Sequence, residues 1–297
     1  MSLSYFLTML ISGLKLGSIY AIVAIGYSIV YGILRLINFA HGDIMTVGVY
    51  IILAFMNSMG MPILPALLIS MAFSICVGLL IERLAYRPLR DASEEATLIS
   101  SLAVSALLQN LLQMVFTSQR QPFILPEWLT TGHQIDMVSI STINMITIIV
   151  TAVFLIILHF IFKMTRIGTA MRACSENLTA ARLMGVNVNK VVMVAFAVGS
   201  GMAVVAGLLL AGEYKTVYPT LGFVPGLKAF CAAVIGGIGS MGGAVTGAFI
   251  IGVAEMLFAG LMPTTVTAYR DAFVFLLMVV MLLFRPNGLF GSETAKS

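Results

Sequence analysis

The chain has 297 residues, of which 60% are hydrophobic and 9% charged, with a formal net charge of +4. An ordinary soluble domain carries about 25% charged residues. A chain this poor in charge has no means of covering its surface in water, so a soluble enzyme is excluded and lipid is the indicated solvent. The positive balance calls for no nucleic acid, because basic loops on one side of a membrane account for it.

No Asp, Glu, Lys or Arg occurs in 16–34, 44–81, 96–119, 137–162, 191–212 or 229–254. About 20 helical residues, rising about 1.5 Å each, cross a hydrocarbon core of about 30 Å. Strand-length alternation is absent, which favours helices over a barrel. The spacing predicts spans at 5–34, 43–59, 62–82, 96–116, 143–162, 191–212 and 272–284, with a Gly-rich segment at 226–260. The expected fold is all-α: one polytopic membrane domain over 1–297, with about eight transmembrane helices and a Gly-rich broken helix hairpin. The first positive charge is Lys15 and no basic region precedes the first apolar run, so that run is expected to stay as a membrane helix rather than be cleaved.

The first span carries Gly13, Gly17 and Ala21 at four-residue spacing, a close-packing signal. Next comes "NFAHGD", residues 38–43, the densest polar cluster near membrane depth. Asn38, His41, Gly42 and Asp43 read either as a backbone break beside a solute path or as an ordinary interfacial turn. One His and one Asp make no metal site. Gly60 and Pro62 separate the second and third spans, and Arg83, Arg87 and Arg90 follow the third. The fourth span places Thr97, Ser101, Ser105, Gln109 and Gln113 four apart. That polar stripe suits either a water-filled path or hydrogen bonds to a neighbouring helix. Residues 117–142 read as a loop with an interfacial Trp128.

The segment 163–190 holds Lys163, Arg166, Arg172, Arg182 and Lys190 against the single acid Glu176. Two spans separate it from the basic stretch 83–95, so both lie on one side, which the positive-inside rule makes cytoplasmic. Residues 35–42 then fall inside, 117–142 and 213–225 outside, and the last span carries Arg285 and Lys296 inside. Within the loop, Ser175 is an expected N-cap, Gly185 a stop, and Asn189 a cap for the next span. Met171, Cys174, Leu178 and Ala181 share one face, which with Arg172 and Arg182 suggests a plug for another protein's groove. The sixth span repeats the small-residue spacing at Gly199, Ala203, Gly207 and Ala211.

Gly237, Gly239 and Gly242 have the G-x-G-x-x-G spacing of dinucleotide sites, but no βαβ unit surrounds them and Glu255 comes too soon for the ribose acid. Gly239, Gly243 and Gly247 instead line one helix face, while Gly236, Gly237 and Gly239 weaken the helix. The segment is too long for one straight span and too short for two full ones. Two short helices broken near 237–242 are expected, the hairpin not needing to reach the far side; a single kinked helix is the alternative. Cys76, Cys174 and Cys231 lie far apart and are expected to be small packing residues.

Three stretches together carry a resemblance: "GLKLGSIYAIVAIGYSIVYGILRLINFAHGDIMTVGVY" (13–50), "RACSENLTAARLMGVNVNKV" (172–191) and "GLKAFCAAVIGGIGSMGGAVTGAFIIGVAE" (226–255). In this order they resemble the permease subunits of branched-chain amino acid ABC importers, over nearly the whole chain. The resemblance implies import of leucine, isoleucine, valine or a related small solute across a bacterial inner membrane. It also implies an extracytoplasmic substrate-binding protein, two ABC ATPase subunits and a second related permease subunit as partners. ATP and Mg would be bound by the ATPase subunits, with no cofactor in this chain. The loop would be the coupling helix, with Arg172, Glu176, Ala180, Ala181, Arg182 and Gly185 as its residues. Thr179 stands where the Glu-Ala-Ala-x-x-x-Gly pattern of such loops has Glu, and Glu176 lies one turn earlier. The chain lacks the Gly-rich Lys-Ser/Thr loop that grips ATP phosphates. Rival classes are an ion-coupled transporter, for which Asp43, Glu82 and Glu255 are the available carboxylates, and a channel. Glu82, beside Arg83, is expected at the interface.

Overall fold

A computed structural model describes residues 3–90, 92–135 and 138–290; Lys296 lies outside the described residues. The long helices are α1 (Leu3–Leu34), α2 (His41–Met59), α3 (Ile63–Ile81) and α4 (Glu94–Val115). Helix α3 continues as a π turn over Glu82–Tyr86 and a 3₁₀ turn over Arg87–Leu89. A short strand β1 (Gln121–Pro122), helix α5 (Glu127–Thr130) and the hairpin β2 (Gly132–Ile135) with β3 (Val138–Ser141) fill the predicted loop. Then follow α6 (Thr142–Met164), α7 (Arg166–Glu176), α8 (Leu178–Leu183) and α9 (Val188–Tyr214). Strand β4 (Thr216–Val217), α10 (Phe223–Gly236), α11 (Met241–Leu261), α12 (Thr264–Thr267) and α13 (Arg270–Phe284) complete the chain. Strands β1 and β4 pair antiparallel and tie the loop after α4 to the loop after α9.

Among the described residues, seven helices are long and apolar enough to cross a membrane. The protein is an all-α, multi-pass membrane protein. Helices α1 and α9 form its buried centre, while α3, α4 and α6 show apolar side chains outward. Lipid tails are as apolar as leucine, so helix association rests on close packing and polar links rather than on burial. Gly13 and Gly17 supply the first of these. A Cβ on Gly13 would lie 2.7 Å from Val253 Cα, and one on Gly17 2.9 Å from Phe249 Cα, so α1 and α11 meet backbone to backbone. Gly207 admits Met45 and Val49 of α2 to α9 in the same way.

Two helix ends turn the chain back into the bundle. Arg35, after α1, and Lys215, after α9, are the non-glycine residues with positive φ among the described residues, both at 54°. That conformation costs a non-glycine residue roughly 1–2 kcal/mol, and a cation there complements the negative end of the helix dipole. Residues 35–40 then run inward to the start of α2, and 218–222 to the start of α10. The depth of these starts can be read from their neighbours. A Cβ on Gly199 would lie 3.2 Å from the His41 ring, and Gly26 also abuts that ring. Gly26 is about 12 Å from the basic end of α1, and Gly199 about 16 Å from the basic end of α9, at about 1.5 Å per residue. Helix α2 therefore begins near the middle of the bundle, where an interfacial turn is ruled out.

The N-terminus of α10 meets that of α2. A Cβ on Gly226 would lie 2.9 Å from Gly42 Cα, and Gly222 N donates to Thr46 Oγ1 at 2.8 Å. Helix α10 spans 14 residues, about 21 Å, so it covers only part of the membrane. Its far end reverses through Gly237 (φ 104°) and Gly239 (φ 90°) into α11, and Gly239 faces Gly32 near the basic end of α1. The break thus lies at the basic face, correcting the expectation that the hairpin need not cross; the discontinuity at mid-depth is the start of α10.

Candidate functional site

Six predicted residues gather at the junction: Asn38, His41, Gly42, Asp43, Ser105 and Gln109. Asp43, in the first turn of α2, is completely buried. Its Oδ2 accepts from Ser105 Oγ at 2.5 Å and its Oδ1 from Gln109 Nε2 at 3.0 Å. Two residues of the polar stripe on α4 are thereby spent on a neighbouring helix, and Thr97 and Ser101 of the same stripe are buried while Gln113 faces outward. No cation pairs with Asp43 among the described residues; two hydrogen bonds and the positive end of α2 hold it. His41 and Asn38 are each 2% exposed. Asn38 Oδ1 accepts from Tyr86 OH at 3.0 Å, whereas Asn38 Nδ2 and His41 Nε2 have no partner among the described residues. Buried polar atoms are nearly always paired, so these two atoms leave hydrogen-bonding capacity open where the two helix starts meet.

A polar chain links this junction to the basic face. Tyr86 belongs to the π turn, a distortion frequent at functional positions. The same turn holds Glu82, which is 2% exposed and bonded to Arg90. Arg90 Nη1 in turn donates to Asn189 Oδ1 at 2.6 Å. Glu82, at the end of α3, is thus buried in the protein and paired with Arg90 rather than with its neighbour Arg83. Asn189 serves this bond, and Asn187 takes the predicted capping role, accepting from Lys190 N at 3.1 Å.

The loop 163–190 folds as two helices. Thr165 caps α7, and Asn177 caps α8 by accepting from Ala180 N at 2.9 Å. Ser175, the expected cap, instead donates to Arg172 O at 2.7 Å. Gly185 (φ 82°) ends α8 as its sequence position predicts. Met171, Cys174 and Ala181 are buried and Leu178 half-buried, against the protein's own body. Burial pushes the Cys174 thiol pKa up. This face is therefore not the plug that its periodicity suggested. The exposed apolar tip is Leu183 and Met184, each 84% exposed, flanked by Arg182 and Gly185. Arg172 bonds the Phe162 carbonyl, and Glu176 and Ala180 are exposed.

In the Gly-rich hairpin, Gly236 packs on Gly243, and a Cβ on Gly247 would lie 2.9 Å from Gly236 N. Gly242 has open space. Leu289 N and Phe290 N, past α13, donate to Ile235 O and Gly236 O at 2.9 Å, capping the carbonyl end of α10.

Helix α10 lines two cavities. One, of about 830 Å³, opens at the basic face between Tyr31, Arg35, Glu176, Phe230, Gly239 and Met278. The other, of about 330 Å³, lies toward the opposite face between Arg120, Tyr214, Tyr218, Pro225, Lys228, Arg270 and Asp271. Between them the Tyr27 ring packs 4.8 Å from His41 and 6.0 Å from Phe230, and Phe39 packs 6.1 Å from Phe230. Beside the second cavity, Lys228 Nζ meets Glu255 Oε1 at 2.6 Å and Asp271 Oδ1 at 2.7 Å. Tyr20 OH donates to Glu255 Oε2 at 3.0 Å. Sequence reasoning took Glu255 alone. The missed signal was Lys228 itself, a charge within a membrane-depth helix.

Helices that start at mid-depth, with cavities entering from both faces, define a solute-conducting membrane protein. The chain belongs to the family described as branched-chain amino acid transport system / permease component, whose model matches residues 9–282. It is 38% identical to the high-affinity branched-chain amino acid transport system permease protein LivH of Salmonella typhimurium, covering 97% of this chain and 96% of that protein. The corresponding BraD protein of Pseudomonas aeruginosa is also 38% identical, at the same coverage of 97% and 96%. Among solved structures, PsaBC from Streptococcus pneumoniae in complex with Fab aligns with a TM-score of 0.53 at 15% identity, over 95% of this chain and 92% of that one. That likeness is one of fold.

Proposed function

We propose that this chain is a translocating subunit of an ATP-binding-cassette importer for branched-chain amino acids, in the cytoplasmic membrane of a bacterium. Its substrate is leucine, isoleucine or valine, delivered by an extracytoplasmic binding protein. The second permease is a related chain, and two separate ATPase subunits hold ATP and Mg. The observation that carries the path is the pair of cavities on one half-length helix, parted by the Tyr27–Phe39–His41–Phe230 cluster. Solute passes that cluster beside Asn38, His41, Gly42 and Asp43, with Ser101, Ser105 and Gln109 of α4 steadying the junction. The Gly-rich turn at Gly236, Gly237, Gly239, Gly242 and Gly243 lets α10 swing against α11. Alternation requires an element that both ATP and the binding protein bias. Helix α10 is that element here, and the loop carrying Arg172, Glu176, Ala180, Ala181, Arg182 and Gly185 brings the ATPase stroke to it.

Purification of the tagged chain from native membranes in mild detergent, followed by mass spectrometry of what accompanies it, tests this reading. A second permease and ATPases with phosphate-binding loops in near-equal amounts are expected, as is leucine uptake abolished by ATP depletion and insensitive to ionophores. A preparation free of ATPase that still moves leucine in sealed vesicles without ATP would overturn it.

A further inference from the structure

The cavity on the face opposite the basic loops is lined by charges that the bundle does not fully use. Arg120 lies on the loop after α4, its guanidinium 4.7 Å from the centroid of the Tyr218 ring. Arg270, at the start of α13, has its Nε 3.7 Å from both Glu255 Oε1 and Asp271 Oδ1, beyond hydrogen-bond range. Neither guanidinium makes a hydrogen bond among the described residues. Lys228 behaves differently: it is 2% exposed and held between Glu255 and Asp271, so it anchors the floor. The Asp271 side chain remains 45% exposed beside that floor. The first turns of α10 and α13 both end here, adding the positive ends of two helices. At about 330 Å³ the cavity sits at the lower end of the range for small-molecule sites. Val224 and Pro225 give it an apolar wall.

Two forked guanidiniums with free donors, a half-exposed carboxylate 3.7 Å from that of Arg270 and an apolar wall, all lining one cavity, match one ligand class. A guanidinium binds a carboxylate bidentately, and Asp271 offers an acceptor to an ammonium. We infer that this outer cavity is a holding site for the zwitterionic head group of an α-amino acid, occupied after release from the binding protein and before entry to the α2–α10 junction. The inference rests on the amino-acid transport proposed above. An uncharged amide would desolvate the same charges without pairing them, so the site discriminates by charge placement rather than by bulk.

The test uses the assembled transporter in lipid nanodiscs without binding protein, and ligand-observed saturation-transfer NMR. The probes are L-leucine, L-leucinamide, which lacks the carboxylate, and 4-methylpentanoate, which lacks the ammonium. L-Leucine is expected to give a signal at least about five-fold stronger than either analogue. Arg270→Gln and Arg120→Gln should each cut it about five-fold; the second changes an exposed loop residue and leaves the buried ion pairs intact. Binding-protein docking, measured in parallel by surface plasmon resonance, should be unaltered. Equal signals from all three probes, or full leucine signal in both variants, would overturn the inference. Loss of docking with the leucine signal retained would make this face a protein-docking surface and would equally overturn it. Wild-type vesicles that take up leucine yet give no signal would sink the holding site alone, whereas failure of leucine uptake would sink the proposed function beneath it.

Discussion

Asp43 shows what a single buried carboxylate does in this bundle. It accepts from Ser105 and Gln109, so replacing it by leucine takes that acceptor from the buried Ser105 hydroxyl and leaves Gln109 Nε2 only its 3.2 Å bond to Ser105 Oγ. Such losses cost about 1–3 kcal/mol per group. Asp43→Leu is therefore expected to lower the melting temperature in detergent. Asp43→Asn keeps the size and an acceptor oxygen while removing a charge from low dielectric, so its melting temperature should be unchanged or higher. If the charge serves transport, uptake by Asp43→Asn in vesicles falls at least ten-fold; wild-type uptake would leave Asp43 a purely structural residue. Lys228 obeys the opposite logic. Lys228→Met strands Glu255, which is 1% exposed, and breaking one partner of a buried pair costs about 3–5 kcal/mol. The double change Lys228→Met, Glu255→Gln should recover much of that loss in thermal unfolding, because it removes the stranded charge while keeping an acceptor for the buried Tyr20 hydroxyl.

At the scale of the helix, glycine spacing sets how closely elements approach. Gly242 and Gly247 lie on the same helix α11 but differ in surroundings. Open space surrounds Gly242, whereas a Cβ on Gly247 would lie 2.9 Å from Gly236 N. Gly242→Ala should be neutral or stabilise by up to about 1 kcal/mol, the helix-propensity gain. Gly247→Ala should destabilise and lower the folded yield by size-exclusion chromatography, since the obstructing atom is backbone. The loop 163–190 makes a similar contrast. Ala181 is buried while Leu183 and Met184 project outward. Ala181→Glu is expected to disorder the loop, seen as new proteolytic cleavage in 163–190. Leu183→Asp with Met184→Asp should leave cleavage unchanged yet lose the ATPase subunits on affinity purification. Retention of those subunits at wild-type level would remove the tip from the docking surface.

Across the whole molecule, one device occurs twice in opposite directions. Helix α1 ends at Arg35 near the basic face and the chain returns to mid-depth to start α2; α9 ends at Lys215 on the other side and the chain returns to start α10. That is the pattern of an inverted repeat, whose meeting point is the usual place for solute. The residues responsible, "LRLINFAHGD" and "YKTVYPTLGFVPG", share no obvious sequence pattern. The repeat is visible only as paired geometry.

The spans, their order and the basic loops were determined by the sequence alone, because hydrophobic length and charge asymmetry are local quantities set by the thickness of the bilayer. The stops at Gly185 and Gly60 and the hairpin turn near 237–242 were legible for the same reason: each depends on one residue's backbone freedom. Only tertiary structure decided where α2 and α10 begin in depth, which way the apolar face of the loop 163–190 points, and which charges pair. Asp43 and Gln109 are 66 residues apart, Lys228 and Glu255 27, and Tyr20 and Glu255 235. Such partners are selected by how helices pack, through glycine contacts and buried hydrogen bonds that no stretch of sequence contains by itself.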